Sequence, residues 1–458
     1  MTAKTHHPLQ IGWWILGLAC FGLGGYWYVT WNVQLANQGR HNNDFKHLYV
    51  GAQMVRFGKS PYDRQAAQEA RELLGVSGIN PYVYLPFTAQ VMMPLTSVPL
   101  RQASGTWFEI NHALTWIGYL ALAVALGWVP WKRRTPDEDK EAISSNTTQH
   151  WGSQELAGLG AAFLAVFASF ALFRTLTAGQ LNMVLFGGIA VVYLLINKQY
   201  WATAGVVASF LALFKIIPGI LFIYFILIKQ WRAVIGMIAG GLIFLLFSMI
   251  HIGFGAYLEF LPLAAAMGYG KSTWGDAFTF YRDPSNQSIN SFFHHVFVDH
   301  ADSNITPWFN LGAAFADNLT LTITLFMLGI TFYTIYQCTK GTKNNESAYR
   351  FSFGAIVMMA ILTPSLMWDH YTTIAMISWM LLIPNRESQI TLPRLTALLL
   401  LAVALGWPVN YWHVAYRSGP ELMLMSARLW PSLILWGWCI VELWRLEAPG
   451  ESVEVAAS

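Results

Sequence analysis

The chain has 458 residues, 55% of them hydrophobic and only 11% charged, with a mean hydropathy of +0.42. Soluble domains carry about 25% charged residues, so this composition excludes a water-facing globular protein and predicts an all-α polytopic membrane protein. The net charge of +3 is too small to support a nucleic-acid partner, and no basic block exceeds Lys132-Arg133-Arg134.

The first apolar run, Ile11 to Thr30, has the length of about 20 residues that a membrane span needs. Lys4 precedes it, and Gly24, Gly25, Tyr26 and Trp27 do not form a small-x-small cleavage site. A retained first span with a cytoplasmic N-terminus is expected. The polar segment 31–81 is then the first extracytoplasmic loop. Within it Phe45, Leu48, Tyr49, Ala52 and Val55 recur at helical spacing, which predicts a short helix lying on the membrane and opened by Asp44. Gly58-Lys59-Ser60-Pro61-Tyr62-Asp63 ends it with turn chemistry.

The chain returns at Pro81-Tyr82-Val83-Tyr84-Leu85-Pro86, and the apolar run to Leu100 is short and proline-punctuated. It reads as a full span or as a re-entrant segment. Further apolar segments fall near 107–131, 155–174, 181–197, 202–228, 233–254, 310–337, 350–366, 372–384, 394–412 and 423–444. With the first they make a bundle of about 11 to 13 spans. Segment 202–228 reads as one kinked helix or as two broken at Lys215 and Pro218. A second polar loop covers 267–304. Residues 1–446 form a single membrane domain, and 447–458 is a short flexible tail. No repeat of fixed period supports an inverted-repeat transporter.

Lys4, Lys229/Arg232 and Lys340/Lys343 satisfy the positive-inside rule with loop 31–81 outside. With the run before Leu100 as a full span, Lys132-Arg133-Arg134 lies outside, against the rule; either that run is re-entrant or the neighbouring acids offset the bias. Cys20, Cys338 and Cys439 lie in or beside apolar runs and lack metal-ligand spacing, so they read as packing residues. Asn146-Thr147-Thr148, Asn286-Gln287-Ser288 and Asn304-Ile305-Thr306 match the glycosylation acceptor pattern, which is common by chance.

Several residues carry possible chemistry, each beside a plainer reading. Asp44 is either the N-cap of its helix or a carboxylate at a low-dielectric surface, with His47 one turn on, able to act as a general base. Lys215 in Phe214-Lys215-Ile216-Ile217-Pro218 is a cation deep in apolar sequence. Such a residue either snorkels from a helix end or meets an anionic partner such as a phosphate. Gly179-Gln180-Leu181-Asn182 is a turn, and with Arg174 and Thr177 an amide- and cation-lined mouth suited to sugar hydroxyls or phosphate oxygens. Arg282, Asp283 and Asn286-Gln287-Ser288 form the second polar cluster, and adjacent His294 and His295 point too far apart to share a metal. Trp368-Asp369-His370-Tyr371 is a polar cap or the wall of a cavity for a sugar or phosphate.

In the order and spacing of these motifs the chain resembles glycosyltransferase family 87, polytopic enzymes of the GT-C class that use polyprenyl-phosphate sugars. Asp44-Phe45 through Tyr49 and the turn Gly58 to Asp63 match the family's first loop. Tyr82-Val83-Tyr84-Leu85-Pro86 is similar to its tyrosine-proline-proline motif, with Leu85 in place of the first proline. Gly179-Gln180-Leu181-Asn182, Phe214-Lys215-Ile216-Ile217-Pro218, Asn286-Gln287-Ser288 and Trp368-Asp369-His370-Tyr371 follow in the family's order.

The resemblance implies a GT-C-type bundle and transfer of a single sugar, mannose above others, from a polyprenyl-phosphate donor to a lipid or glycan hydroxyl. By it, Asp44 is the general base of an inverting displacement. Lys215, Arg282 and His370 meet the donor phosphate. His47, Tyr49, Tyr84, Gln180, Asn182, Asn286, Gln287, Trp368 and Asp369 surround sugar and acceptor. No cofactor or obligatory metal is expected, because Asp137-Glu138-Asp139 lies in a charged loop and no other Asp-x-Asp-like motif stands out. The expected setting is a bacterial inner membrane, with the site facing the extracytoplasmic side and glycolipid or cell-envelope synthesis as the role. A flippase of lipid-linked saccharides would explain Lys215 and the Gly/Pro breaks but not the long first loop. An O-antigen-type ligase would carry its large polar loop late in the chain.

Overall fold

A computed structural model describes residues 8–447, apart from 41–43, 76–81, 130–151, 270–280, 282, 301–303, 341–345 and 385–388. Arg282, the Lys132-Arg133-Arg134 and Asp137-Glu138-Asp139 blocks and the tail beyond 447 therefore lie outside the described residues. Within them the fold is helical, the one extended feature being an isolated antiparallel bridge between Asn286 and Trp368.

Helix α1, Pro8–Trp27, does not stop where the sequence becomes polar. It runs through a π-helical stretch, Tyr28–Leu35, into Ala36–Gly39, so the first loop opens near residue 40 rather than 31. The reason is burial. Asn32 faces the protein, and its Nδ2 donates to the Phe167 carbonyl at 2.6 Å, which removes the cost of a polar side chain in the bundle.

Helix α2, Phe45–Arg56, is the predicted surface helix. Its twelve residues rise about 18 Å, short of the roughly 30 Å hydrocarbon core. Phe45, Leu48, Tyr49, Ala52 and Val55 are buried together against Tyr82, Tyr84, Phe87, Met92 and Trp107, a satellite core distinct from the main one. Asp63 caps α3, Arg64–Leu73, by accepting from the backbone N–H groups of Gln65 and Ala66 at 3.0 and 3.1 Å. Next come α4, Pro86–Met92, and a five-residue 3-10 turn, Met93–Ser97. Together they are well under the length of a span. The run before Leu100 is thus a short segment packed on α2 and not a crossing.

Helix α5, Leu100–Ala125, follows. Helices α6, Ser153–Phe167, and α7, Phe170–Ala178, are bent by 43° where Ser169 caps α7. Gly179 closes α7 at φ 66°, a left-handed conformation that glycine adopts without a Cβ clash. Helix α8, Asn182–Asn197, starts directly after this turn. The 202–228 segment is two helices, α9, Trp201–Phe214, and α10, Ile220–Leu227. Lys215 between them is extended at φ −152°, ψ 129°, where Pro218 and the 3-10 turn Ile217–Gly219 bar a continuous helix.

Helix α11, Trp231–Ile252, packs on α9 through small residues. A Cβ on Gly205 would stand 2.0 Å from the Ala233 carbonyl oxygen, so only glycine allows this approach. The remaining helices of more than one turn are α12, Phe254–Ala266; α13, Ile289–Phe297; α14, Ala313–Thr339; α15, Glu346–Leu362; α16, Thr372–Leu382; α17, Leu392–Gly406; and α18, Leu429–Glu447. Among the described residues, α11 and α14 are long and apolar enough to cross a membrane unaided, and counting two bent pairs raises the total to four. Windows 155–174 and 202–228 are instead met by broken helices, because Ser169 interrupts the first and Lys215 and Pro218 the second. The main core is formed around α15 and α16, whose residues are almost all buried.

Candidate active site

A cavity of about 630 Å³ lies where the satellite core meets the ends of α7 to α10 and the loop 363–371. Asp44, His47, Tyr84, Gln180 and Lys215 line one side, and Arg174, Asp283, Ser285, Trp368, Asp369 and His370 line another. Ile216, Ile217, Phe260, Ala264, Met267 and Leu366 add an apolar wall.

Asp44 stands at the N-cap position of α2, yet its side chain makes no capping bond. Instead Oδ2 accepts from Gln180 Nε2 at 3.0 Å. Gln180 Oε1 in turn accepts from the Tyr84 hydroxyl at 3.1 Å. The plainer reading of Asp44 as a helix cap therefore does not hold. His47 stacks on Tyr84 with 5.6 Å between centroids and 11° between planes. Burial outweighs the nearby Asp44 carboxylate and, with Lys215 also close, pulls the His47 imidazole down to about 4. At neutral pH this ring is uncharged.

Lys215 is 9% exposed. Its Nζ donates to Asn182 Oδ1 at 3.3 Å and lies 4.1 Å from the centroid of the Tyr371 ring. Among the described residues no carboxylate pairs with it, so its amine faces the cavity with only an amide and a π-face as partners. Asn182 Nδ2 donates to the His370 carbonyl at 3.2 Å. The turn is itself held: the Trp107 indole N–H donates to the Gly179 carbonyl at 2.9 Å, and Gln180 N–H to the Thr175 carbonyl at 3.1 Å.

Elsewhere in the lining the half-exposed Arg174 lies 3.5 Å from Asp369, whose other oxygen meets His370 Nδ1 at 3.3 Å. Asp283 Oδ1 accepts from Ser285 N–H at 2.8 Å. Burial pushes the Asp283 carboxyl up, helped by Asp369 and opposed by Ser285 and Arg174. The sequence marks Asp283 and Ser285 only as members of a polar cluster and gives no sign of Tyr269. An aspartate before a proline looks like turn chemistry, and nothing in the chain marks a tyrosine after an apolar helix.

Four residues expected around the sugar stand elsewhere. Tyr49 is buried in the satellite core, its hydroxyl donating to the Val98 carbonyl at 2.8 Å. Asn182 is fully buried behind Lys215. Asn286 and Gln287, also fully buried, are framework. Asn286 Nδ2 donates to the Ser365 carbonyl at 3.1 Å and its Oδ1 accepts from Met367 N–H at 3.0 Å. Gln287 Nε2 donates to the carbonyls of Pro284 and Met425 at 2.7 and 2.9 Å, while its Oε1 accepts from Arg428 N–H at 2.9 Å. These bonds fasten the second polar loop to the 363–371 loop and so place Trp368 to His370.

The cysteines are buried and free. Among the described residues no three His, Cys, Asp or Glu side chains cluster as a metal site would require.

Apolar and broken helices around a part-enclosed cavity lined by three carboxylates and one buried lysine define a helical membrane protein with its polar chemistry inside the bundle. The family model of glycosyltransferase family 87 matches residues 82–364. The chain belongs to that family and is a membrane glycosyltransferase. The matched span holds Tyr84, Gln180, Asn182 and Lys215, while Asp44, His47 and Trp368 to Tyr371 fall outside it. None of the curated proteins matches the chain.

Proposed function

We propose that this glycosyltransferase moves a single sugar, mannose, from a polyprenyl-phosphate donor to a hydroxyl of a lipid or glycan acceptor by inverting displacement. The observation that carries the reading is that Asp44 and Lys215 open on one cavity whose third wall is apolar. Asp44 accepts the proton of the acceptor hydroxyl as its oxygen bonds to the anomeric carbon. The bond from that carbon to the phosphate oxygen breaks, and polyprenyl phosphate leaves with the electron pair. The leaving group gains negative charge, which Lys215 offsets in a site of low dielectric. His370 lies beside the same cavity, and Arg174 is a further cation there. One base and no protein nucleophile suffice for inversion.

Tyr84, Trp368 and Asp369 offer a ring platform and an acceptor for sugar hydroxyls, and the apolar wall suits the first prenyl units. The short segment Pro86–Ser97 is too short to cross the membrane. With α1 and α5 read as spans, their ends at the first loop face one side, which in this reading leaves the other side to the basic blocks at Lys4 and Lys132-Arg133-Arg134. This agrees with the positive-inside rule and supports an extracytoplasmic site in a bacterial inner membrane. The reaction as written calls for no cofactor or metal, and its partners are the donor, the acceptor and the bilayer.

The test is transfer by the purified protein in detergent from polyprenyl-phosphate mannose to extracted membrane lipids, read by mass spectrometry. A new mannosylated lipid made by the wild type and not by Asp44→Asn supports the reading. An Asp44→Asn protein as active as the wild type overturns it, and transfer from another lipid-linked sugar alone overturns mannose.

A further inference from the structure

Two side chains of one tight turn hold the two charged groups of the site. Gln180 donates from Nε2 to Asp44 Oδ2, and two residues on Asn182 accepts with Oδ1 from Lys215 Nζ. Each amide is also tied at its far end. The Tyr84 hydroxyl donates to Gln180 Oε1, and Asn182 Nδ2 donates to the His370 carbonyl. An amide fixed at its oxygen presents its N–H groups, and one fixed at its nitrogen presents its oxygen. Gln180 thus offers a donor to the carboxylate, and Asn182 an acceptor to the ammonium. The backbone between them is set by left-handed Gly179 and by the Trp107 indole on the Gly179 carbonyl.

We infer that the Gly179–Asn182 turn is a positioning device, with Gln180 and Asn182 orienting Asp44 and Lys215 rather than binding sugar. Gln180 holds one carboxylate oxygen and leaves the other for the acceptor hydroxyl. Tyr84 acts one step back, by preventing the Gln180 amide from turning its oxygen toward Asp44. Asn182 accepts from the Lys215 amine, favours its ammonium form and aims it into the cavity. Because both amides sit on one rigid turn, the separation of acid and cation is set by three backbone residues.

The inference rests on Asp44 being the base, and the experiment separates the two. A hydrophobic carbodiimide modifies carboxyl groups, so peptide mapping of the detergent-purified protein after a fixed exposure at pH 6 gives the reactivity of Asp44 without any substrate. Gln180→Leu removes the donor on Oδ2 and increases that modification several-fold. Gln180→Glu, of the same shape, sets two carboxylates side by side and increases it further, and Tyr84→Phe increases it least. Asn182→Leu leaves Asp44 modification as it is and increases acetylation of Lys215 by acetic anhydride at pH 6 several-fold.

Equal Asp44 modification in wild type, Gln180→Glu and Tyr84→Phe overturns the role of Gln180. Unchanged Lys215 acetylation in Asn182→Leu overturns that of Asn182. If Asp44→Asn still transfers sugar at the wild-type rate, the base assignment fails by itself. If Asp44→Asn is inactive and the modification levels are equal, the base stands and the turn does not position it.

Discussion

Lys215 Nζ lies 4.1 Å from the centroid of the Tyr371 ring, in a wall where no carboxylate among the described residues pairs with it. A cation–π contact with one amide acceptor keeps an ammonium in place without neutralising it. A paired lysine would have no charge left for a leaving phosphate.

Lys215→Met keeps the stem packed and removes the charge. Its expected cost is about 100- to 1000-fold in kcat, the range for loss of one group that stabilises developing charge. Lys215→Arg is also impaired, because a planar fork replaces the compact ammonium over Tyr371. The measurement is initial transfer rate at saturating donor. A change confined to KM would show that Lys215 only binds the donor.

Asp44→Asn separates chemistry from folding. The Asp44 side chain makes no capping bond, so its replacement leaves α2 intact. Transfer falls by about 100-fold or more, the contribution expected of a general base. Asp63→Ala is the counterpart. Asp63 does cap α3, and its loss costs about 1 kcal/mol while leaving transfer near the wild-type rate. Thermal melting in detergent and transfer rates on the same samples give both readings. If Asp44→Asn melts lower and Asp63→Ala does not, the two roles have been exchanged.

His47 makes stability depend on pH in a defined direction. Its folded-state value, about 4, lies below the ordinary 6.5. Above pH 6.5 the ring is neutral in both states and contributes nothing. Between 6.5 and 4 only the unfolded chain takes up the proton, so stability falls with pH and levels off below 4, a total of about 3 kcal/mol. His47→Phe retains stacking on Tyr84 and cannot titrate. Its melting temperature should fall less than that of the wild type between pH 6.5 and 4.5. The other histidines titrate in both proteins and cancel in the difference.

Local pattern carried much of this architecture in the sequence. The spacing of Phe45, Leu48, Tyr49, Ala52 and Val55 predicted α2 and its buried face, and Lys215 with Pro218 marked the break between α9 and α10. Those signals are periodicity and covalent geometry, which need no tertiary partner. The first loop was placed too early because Asn32 reads as a loop residue until the Phe167 carbonyl is brought beside it. Residues were assigned to the site by polarity. Gln180 and Trp368 do line the cavity, but so polar a run as Asn286-Gln287-Ser288 turned out to be fastened inward. A buried amide that ties two loops looks the same in sequence as one that meets a sugar, since the difference lies in partners about 80 to 140 positions away.

Gln287 therefore gives a direct test of framework against ligand. As a sugar contact, its truncation would slow transfer or raise KM and leave folding alone. The structure instead gives it three buried backbone partners, the carbonyls of Pro284 and Met425 and the N–H of Arg428. Gln287→Ala strands all three at roughly 1–3 kcal/mol each, so about 3 kcal/mol or more of stability is lost. Much lower yield of monodisperse protein and a melting temperature reduced by several degrees are expected, with the protein that does fold retaining its KM for donor. Gln287→Glu keeps the shape and the acceptor for Arg428 N–H but sets an oxygen against two carbonyls, so it is destabilised as well. Wild-type melting in both variants with impaired transfer would return Gln287 to the substrate.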